Sequence, residues 1–258
     1  MAATTPSSPT ASSSGLQVVQ RAAAVLRVVG REGGGPRLAD LAPSVDLPKT
    51  TLHRVVGALA DEGLLRIDDA GRIWLGSALI ELSRAATADL AAQVRPAVVR
   101  LHRAVDETVD VAIVEGATVR FIDQIQSTRP LRAVSAVGAV FPLHASANGK
   151  AALAAMAPVE AAAVLAGPLE PLTPATITDP AVLRNELAEI ARSGIGYDLQ
   201  EHTVGICAVG AAVLGPAGPV LTLSMPVPTE RFIANQDELA GALRTAVADA
   251  TELLGLGS

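Results

Sequence analysis

The amino-acid sequence predicts an α+β protein, with a winged helix-turn-helix at the N-terminus and a larger domain of strands and helices behind it. Three observations carry this. Between Leu47 and Leu59 the apolar residues Leu52, Val55, Val56 and Leu59 recur at i, i+3, i+4 and i+7, the spacing of one buried helical stripe. Leu64–Leu75 then holds two short alternating runs around Asp68-Asp69-Ala70-Gly71, which is a β-hairpin signal. Beyond Val94 the pattern changes to strands with helices interposed, enough for one α+β domain of about 165 residues.

In chain order, Met1–Ser14 is rich in Ala, Thr, Ser and Pro, with neither a basic start nor an apolar core. It reads as a disordered tail and not as a signal peptide. Val18, Val19, Ala22, Val25, Leu26 and Val29 share one face of a helix from Leu16 to Val29, which completes a three-helix core. Arg31–Pro36, with three glycines, stops it and reads as a connector. Leu38–Ala42 is a short helix and Pro43-Ser44-Val45-Asp46 a tight connection, so two helices meet across a turn. Asp46 stands where glycine is commonest, and aspartate tolerates the left-handed conformation such a turn requires. The second helix starts at Pro48 and ends at Asp61-Glu62-Gly63.

The apolar stripe of that second helix turns Lys49, Thr50, Thr51, His53 and Arg54 outward or toward its N-terminal end. A rod with a cationic, hydroxyl-bearing tip suits the major groove of double-stranded DNA. A hairpin behind it forms a wing, from which Arg66 and Arg72 reach phosphates. The net charge of −6 fits once it is divided along the chain. Residues 1–76 carry eight Arg and Lys against seven Asp and Glu, a net of +1, whereas residues 77–258 carry 12 against 19, a net of −7. Phosphate contacts per subunit are therefore few, and binding leans on dimerisation.

From Ser77 to about Ala92 a helix carries Leu79, Leu82, Ala85, Ala86 and Leu90 as a narrow seam. A second copy of the chain is the natural cover for it, which makes it a linker and dimer helix. Pro96–Val105 reads as a further helix; Val109–Val114 and Val119–Ile125 read as strands, followed by helices near Val159–Ala166 and Pro180–Ser193. Strands at Cys207–Leu214 and Val220–Met225 and a helix from Gln236 to Leu253 finish the chain.

Several function classes are excluded or disfavoured. No run approaches the ~18 uninterrupted apolar residues of a membrane span, so a soluble, cytoplasmic protein is expected. A single cysteine, Cys207, rules out an intrachain disulfide and suits a reducing compartment. Gly149-Lys150 is followed by Ala151, not by the Ser or Thr that a phosphate loop needs for magnesium. Cys207 in an apolar strand reads as core, not as a nucleophile with His144 or His202. Asp198, Glu201 and His202 lack a further ligand at regular spacing. No catalytic residue, metal or cofactor is expected.

The ordered set Leu47-Pro48-Lys49-Thr50-Thr51-Leu52-His53-Arg54, Asp61-Glu62-Gly63-Leu64, Pro142-Leu143-His144-Ala145-Ser146 and Gly149-Lys150-Ala151 resembles the IclR family of bacterial transcriptional regulators. Gly194, Asp198, Glu201, Gly205, Ala208 and Gly210 continue the likeness, which spans roughly residues 15 to 254. It fades after Gly210, and Cys207 falls one place before that family's frequent cysteine, whose position is held by Ala208. The resemblance implies a DNA-binding winged helix at 15–76, a linker and dimerisation helix at 77–92, and a GAF-like effector-binding domain at 93–258. It also implies a pocket lined by Ala133, Phe141, Ser146, Ala147, Asn148, Asp198, Ala208 and Ser224.

The residues themselves add to this. Leu143–Asn148 runs into a helix whose free N–H groups suit an anion, with Ser146 and Asn148 as side-chain donors. Asp198 either accepts from a ligand hydroxyl or caps a loop, and Lys150 reads as a structural ion pair. With three Phe, one Trp and one Tyr in the chain, a small carboxylate or hydroxy acid is a better-suited effector than a large aromatic. The expected protein is a ligand-responsive repressor acting as a homodimer or dimer of dimers on operator DNA. An enzyme acting on a small metabolite is the alternative.

Overall fold

The computed structural model describes residues 12–32 and 34–257. Residues 1–11 of the expected tail lie outside the described residues, while Ser12–Ser14 already open the first helix. The chain divides into two compact units, Met1–Ala86 and Thr87–Ser258.

In the first unit, α1 (Ser12–Glu32), α2 (Leu38–Val45) and α3 (Lys49–Asp61) precede the antiparallel pair β1 (Leu65–Ile67) and β2 (Ile73–Leu75). Its core is Val25, Val29, Leu41, Leu52, Val56, Leu59, Leu65 and Ile73, with Val55 partly buried. The expected α1 stripe is thus buried only in its second half: Val18 and Val19 are 55% and 70% exposed. A second correction concerns α2, which runs on through Pro43 to Val45 instead of ending at Ala42. Proline removes one N–H from the ladder, but Pro43 and Ala39, whose carbonyl loses that partner, both face solvent. The turn then begins at Asp46, at φ 46° and ψ 49°, the left-handed conformation that its place in the sequence requires.

The helix α4 (Ala78–Val105) starts in the first unit and ends in the second. The sequence suggested two helices with a break near Val94. Instead Val94, Ala97, Val98 and Leu101 bury a stripe that crosses Pro96, so packing holds the helix together where proline would otherwise end it. The second unit continues with β3 (Val109–Glu115), β4 (Thr118–Ile125), β5 (Val140–Pro142), α5 (Ala147–Ala155), α6 (Pro158–Leu165) and α7 (Pro180–Ser193). Then follow β6 (Gly196–Leu199), β7 (Ile206–Gly215), β8 (Gly218–Pro228) and α8 (Thr229–Leu253), which starts seven residues before the expected Gln236. Its first part is set off from the rest by Asn235, at φ −130° and ψ 15°.

The six strands form one antiparallel sheet in the order β5-β4-β3-β8-β7-β6. Alternation along the strands separates two cores. On one face Val111, Leu223, Val209, Ala211 and Cys207 pack with α4 and α8; on the other Ala112, Val119 and Phe121 pack with Leu143, α5 and α7. Cross-strand pairing sets Asp110, Ser224, Gly210 and Gly196 in one row over the four strands β3, β8, β7 and β6. This row lies on the α5 face. Its two glycines let α5 settle onto the sheet: a Cβ on Gly210 would stand 2.3 Å from the Asn148 nitrogen, and one on Gly196 2.4 Å from the Ala147 carbonyl oxygen. Residues Ala147–Leu153 are buried as a result.

Candidate functional site

Two constellations of polar residues stand out, one in each unit. In the first unit, Leu52, Val56 and Leu59 anchor α3, and the opposite side presents Lys49, Thr50, His53 and Arg54 to solvent with Thr51 half-buried. Pro48 caps the helix instead of entering its first turn, and Gly63 in the left-handed region closes the far end, where Leu64 N–H donates to the Leu59 carbonyl at 2.9 Å.

The hairpin behind is held by one residue that the sequence did not single out. Asp68 accepts from Ala70 N–H at 3.0 Å and Arg72 N–H at 2.8 Å through one oxygen, and from the Trp74 indole N–H at 3.0 Å through the other. The indole bond first, and then the Arg72 N–H, hold this carboxyl below the ordinary aspartate value. The two wing arginines have intramolecular company. The Arg66 guanidinium lies 5.9 Å from the Trp74 ring centroid, and Arg72 donates to the Gly34 carbonyl at 3.2 Å. Both remain exposed, and five N–H groups per guanidinium leave donors over for a phosphate.

In the second unit a cavity of about 140 Å³ opens between the sheet and the N-terminal end of α5. All eight residues expected there, Ala133, Phe141, Ser146, Ala147, Asn148, Asp198, Ala208 and Ser224, stand on its wall. The structure adds Asp110, Phe121, Ser135, His202 and Thr203, among others. Aromatic surface is more plentiful than the composition suggested. Phe121 and Phe141 meet edge to face at 4.9 Å, and the His202 ring stacks on Phe141 at 3.6 Å and 19°.

The polar groups on this wall are mostly committed within the chain. Ser146 donates its hydroxyl to the Pro142 carbonyl at 2.9 Å, so the expected side-chain donor is already engaged. Asn148 donates to the Thr222 hydroxyl at 3.2 Å, and Thr222 donates onward to the Ala112 carbonyl. Asp198 resolves toward the capping role: one of its oxygens accepts from the N–H groups of Glu201 at 2.6 Å and His202 at 3.3 Å. Burial raises its carboxyl to about 7 despite these donors. Asp110, only 1% exposed, is likewise pushed up to about 6 by burial, while the Gln124 amide at 2.6 Å and the Ser135 hydroxyl pull the other way. Lys150 does not line the cavity. Its ammonium is fully buried and bonds Glu186 and Glu201, each at 2.5 Å, the structural ion pair expected of it. Among the described lining residues there is no Lys or Arg, so the positive pole nearest the cavity is the α5 N-terminus.

A helix-turn-helix with a wing, joined to a second unit whose sheet and helix line a small cavity, is a combination that known proteins share. Residues 83–251 match the family described as the bacterial transcriptional regulator IclR C-terminal domain, and residues 18–69 match the IclR helix-turn-helix domain. The chain belongs to the IclR family. It is 43% identical to the HTH-type transcriptional regulator Rv1719 of Mycobacterium tuberculosis over 232 residues, 90% of each chain. It is 29% identical to the HTH-type transcriptional repressor AllR of Escherichia coli (strain K12), over 94% of this chain and 92% of that one. Among solved structures, a putative IclR transcriptional regulator of Silicibacter sp. TM1040 superposes with a TM-score of 0.64 at 26% identity, covering 92% of this chain and 96% of the other. The protein is thus a DNA-binding transcriptional regulator of IclR type, and among the described residues no helix is long and apolar enough to cross a membrane.

Membership gives the one-place cysteine shift a structural meaning. Side chains alternate along β7, so Cys207 faces the α4 and α8 core, with its sulfur 3.6 Å from the Thr229 hydroxyl, while Ala208 faces the cavity. The β7 position that faces the cavity is thus a methyl group, and the one thiol of this chain is buried behind the sheet.

Proposed function

We propose that the protein represses transcription by holding operator DNA through α3 and the wing, and that a small carboxylate or hydroxy acid in the cavity of the second unit changes its hold. The observation that carries this reading is the convergence of the eight lining residues on one cavity between the sheet and the α5 N-terminus. A cavity of about 140 Å³ suits a small molecule, since an engineered cavity of about 150 Å³ takes up one benzene. The helix N-terminus beside Asn148 favours a negative group there. A relative named as a repressor supports the sign of regulation.

On the DNA side, Lys49, Thr50, Thr51, His53 and Arg54 enter the major groove, and Arg66 and Arg72 meet phosphates from the wing. The near-neutral charge of residues 1–76 makes single-subunit binding weak, so a homodimer or dimer of dimers acts in the cytoplasm on paired half-sites. The exposed Leu82, Ala85 and Ala86 of α4 belong to the seam that a partner copy covers. Boundaries at 15–76, 77–92 and 93–258 follow as working divisions for this mechanism.

The test is operator binding by fluorescence anisotropy, using duplexes from the region upstream of the protein's own gene, with and without a panel of small organic acids. A specific duplex that is released by one acid supports the reading. Binding that is equal for all duplexes, or indifferent to every acid, removes it.

A further inference from the structure

Among the described residues, Asp110 carries the one buried oxygen of the cavity wall that lacks a hydrogen-bond partner. It sits on β3, a central strand of the sheet, paired with Ser224 of β8 and turned to the α5 face, because Val109 and Val111 on either side face the opposite core. One of its oxygens accepts from the Gln124 amide at 2.6 Å. That amide cannot turn away, since the same nitrogen also donates to the Ser135 carbonyl and the Gln126 amide donates to its oxygen at 3.2 Å. The other oxygen, Oδ2, is buried and has no hydrogen-bond partner among the described residues. The Ser135 hydroxyl is near enough to draw this carboxyl's pKa down, yet its geometry leaves Oδ2 without a hydrogen bond.

A buried acceptor without a donor is unfavourable, and one on a cavity wall is relieved by whatever donor enters. Phe121 and Phe141 offer apolar surface, Ser146 and one Asn148 N–H are spent on Pro142 and Thr222, and the Ser135 and Ser224 hydroxyls on the same wall make no hydrogen bond to Oδ2. A donor carried by the ligand would supply the bond that these side chains leave unmade. An ammonium would meet the positive end of α5, whereas a neutral hydroxyl would not.

We infer that the effector is a hydroxylated small acid whose hydroxyl donates to Asp110 Oδ2, so that Asp110 makes the regulator select hydroxy acids over the same acids lacking the hydroxyl. This rests on the reading of the second unit as an effector sensor. A site built to accept from a hydroxyl discriminates strongly against the analogue without one, because the acceptor is then left unpaired.

Titration calorimetry on the full chain tests it with matched pairs: 3-hydroxybutyrate against butyrate, and 3- and 4-hydroxybenzoate against benzoate, with benzylamine as a cationic probe. In at least one pair the hydroxylated member binds at least about tenfold tighter. This comparison uses the parent protein and needs no variant. Asp110→Asn then sharpens it. The new carbonyl keeps the Gln124 bond, which turns an NH2 donor toward the cavity where an acceptor had been. The hydroxyl preference should vanish or reverse, while the unhydroxylated partner binds within about threefold of its parent affinity and the thermal melt stays cooperative. Equal affinities within every pair, tighter binding of benzylamine, binding by no hydroxylated member, or a preference that survives in Asp110→Asn each overturns the inference. A hydroxyl preference without any change in operator affinity leaves Asp110 in its role and removes the regulatory reading instead.

Discussion

The winged helix and the cavity use polar residues in opposite ways. At the tip of α3, Lys49, Thr50, His53 and Arg54 project into solvent from a helix whose other side is fixed by Leu52, Val56 and Leu59. Around the cavity, Ser146, Asn148, Asp198 and Asp110 are buried, and each bonds a group of its own chain. The first arrangement separates function from folding, and the second ties them together. Substitutions at the tip should change DNA binding alone; substitutions near the cavity should be read for stability as well as for ligand.

The largest effect belongs to Lys150. Lys150→Met removes the cation that, among the described residues, bonds the buried Glu201, leaving a carboxylate in a site that already raises its pKa by burial. Breaking such a pair costs about 3–5 kcal/mol. Urea unfolding of the full chain should show that loss in the second unit while operator contacts at α3 keep their chemistry. A loss below about 1 kcal/mol would mean that the ion pair is not needed to hold the β6–β7 loop.

Arg54→Ala comes next, with an expected weakening of operator binding by ~1–3 kcal/mol and relaxed specificity at one position of each half-site. Its melting curve should match the parent's, since Arg54 is exposed. Unchanged discrimination between specific and random duplexes would show that α3 is docked differently.

The same contrast explains what could be read from sequence. The α3 stripe and the hairpin turn were legible because each lies within one local period, and the left-handed Asp46 because only a few residue types accept that conformation. Pro43 and Pro96 misled, since proline locally argues for a break and only tertiary burial of Leu41, or of Val94, Ala97 and Val98, overrides it. The strands β5 and β6, three and four residues long, carry too little pattern to register. The eight expected cavity residues came from family likeness, whereas Asp110 was hidden: in Val109-Asp110-Val111 an aspartate reads as the solvent side of an alternating strand. Only the sheet order, with β3 beside β8 at the centre and α5 over it, shows that both faces are covered.

A smaller effect concerns pH. Asp198 and Asp110 have folded-state values raised to about 7 and about 6 from 3.8, so the folded chain binds their protons more tightly than the unfolded chain. Their contribution favours folding at low pH and is lost as pH rises from about 4 toward those values. Asp68, Asp106 and Glu115, whose values are lowered, slope the other way but are common to parent and variant. The difference in unfolding free energy between parent and Asp198→Asn should therefore move against the parent between pH ~4 and ~7. A flat difference would place solvent at the Asp198 carboxylate.

The coupling between the two units is tested most directly with Asn148→Leu. One Asn148 N–H bonds Thr222 and its second is free for the effector, so loss of the amide should weaken effector binding by ~1–3 kcal/mol, about tenfold or more, and leave operator affinity without effector unchanged. In the parent, the factor by which the effector shifts operator affinity must equal the factor by which operator shifts effector affinity. Titration calorimetry of both ligands, each with and without the other, on parent and Asn148→Leu, reads all of these quantities. Equal reciprocal factors in the parent, with effector affinity reduced in the variant, are the predicted result. An effector that binds the parent without altering operator affinity, or that binds Asn148→Leu as tightly as the parent, contradicts it.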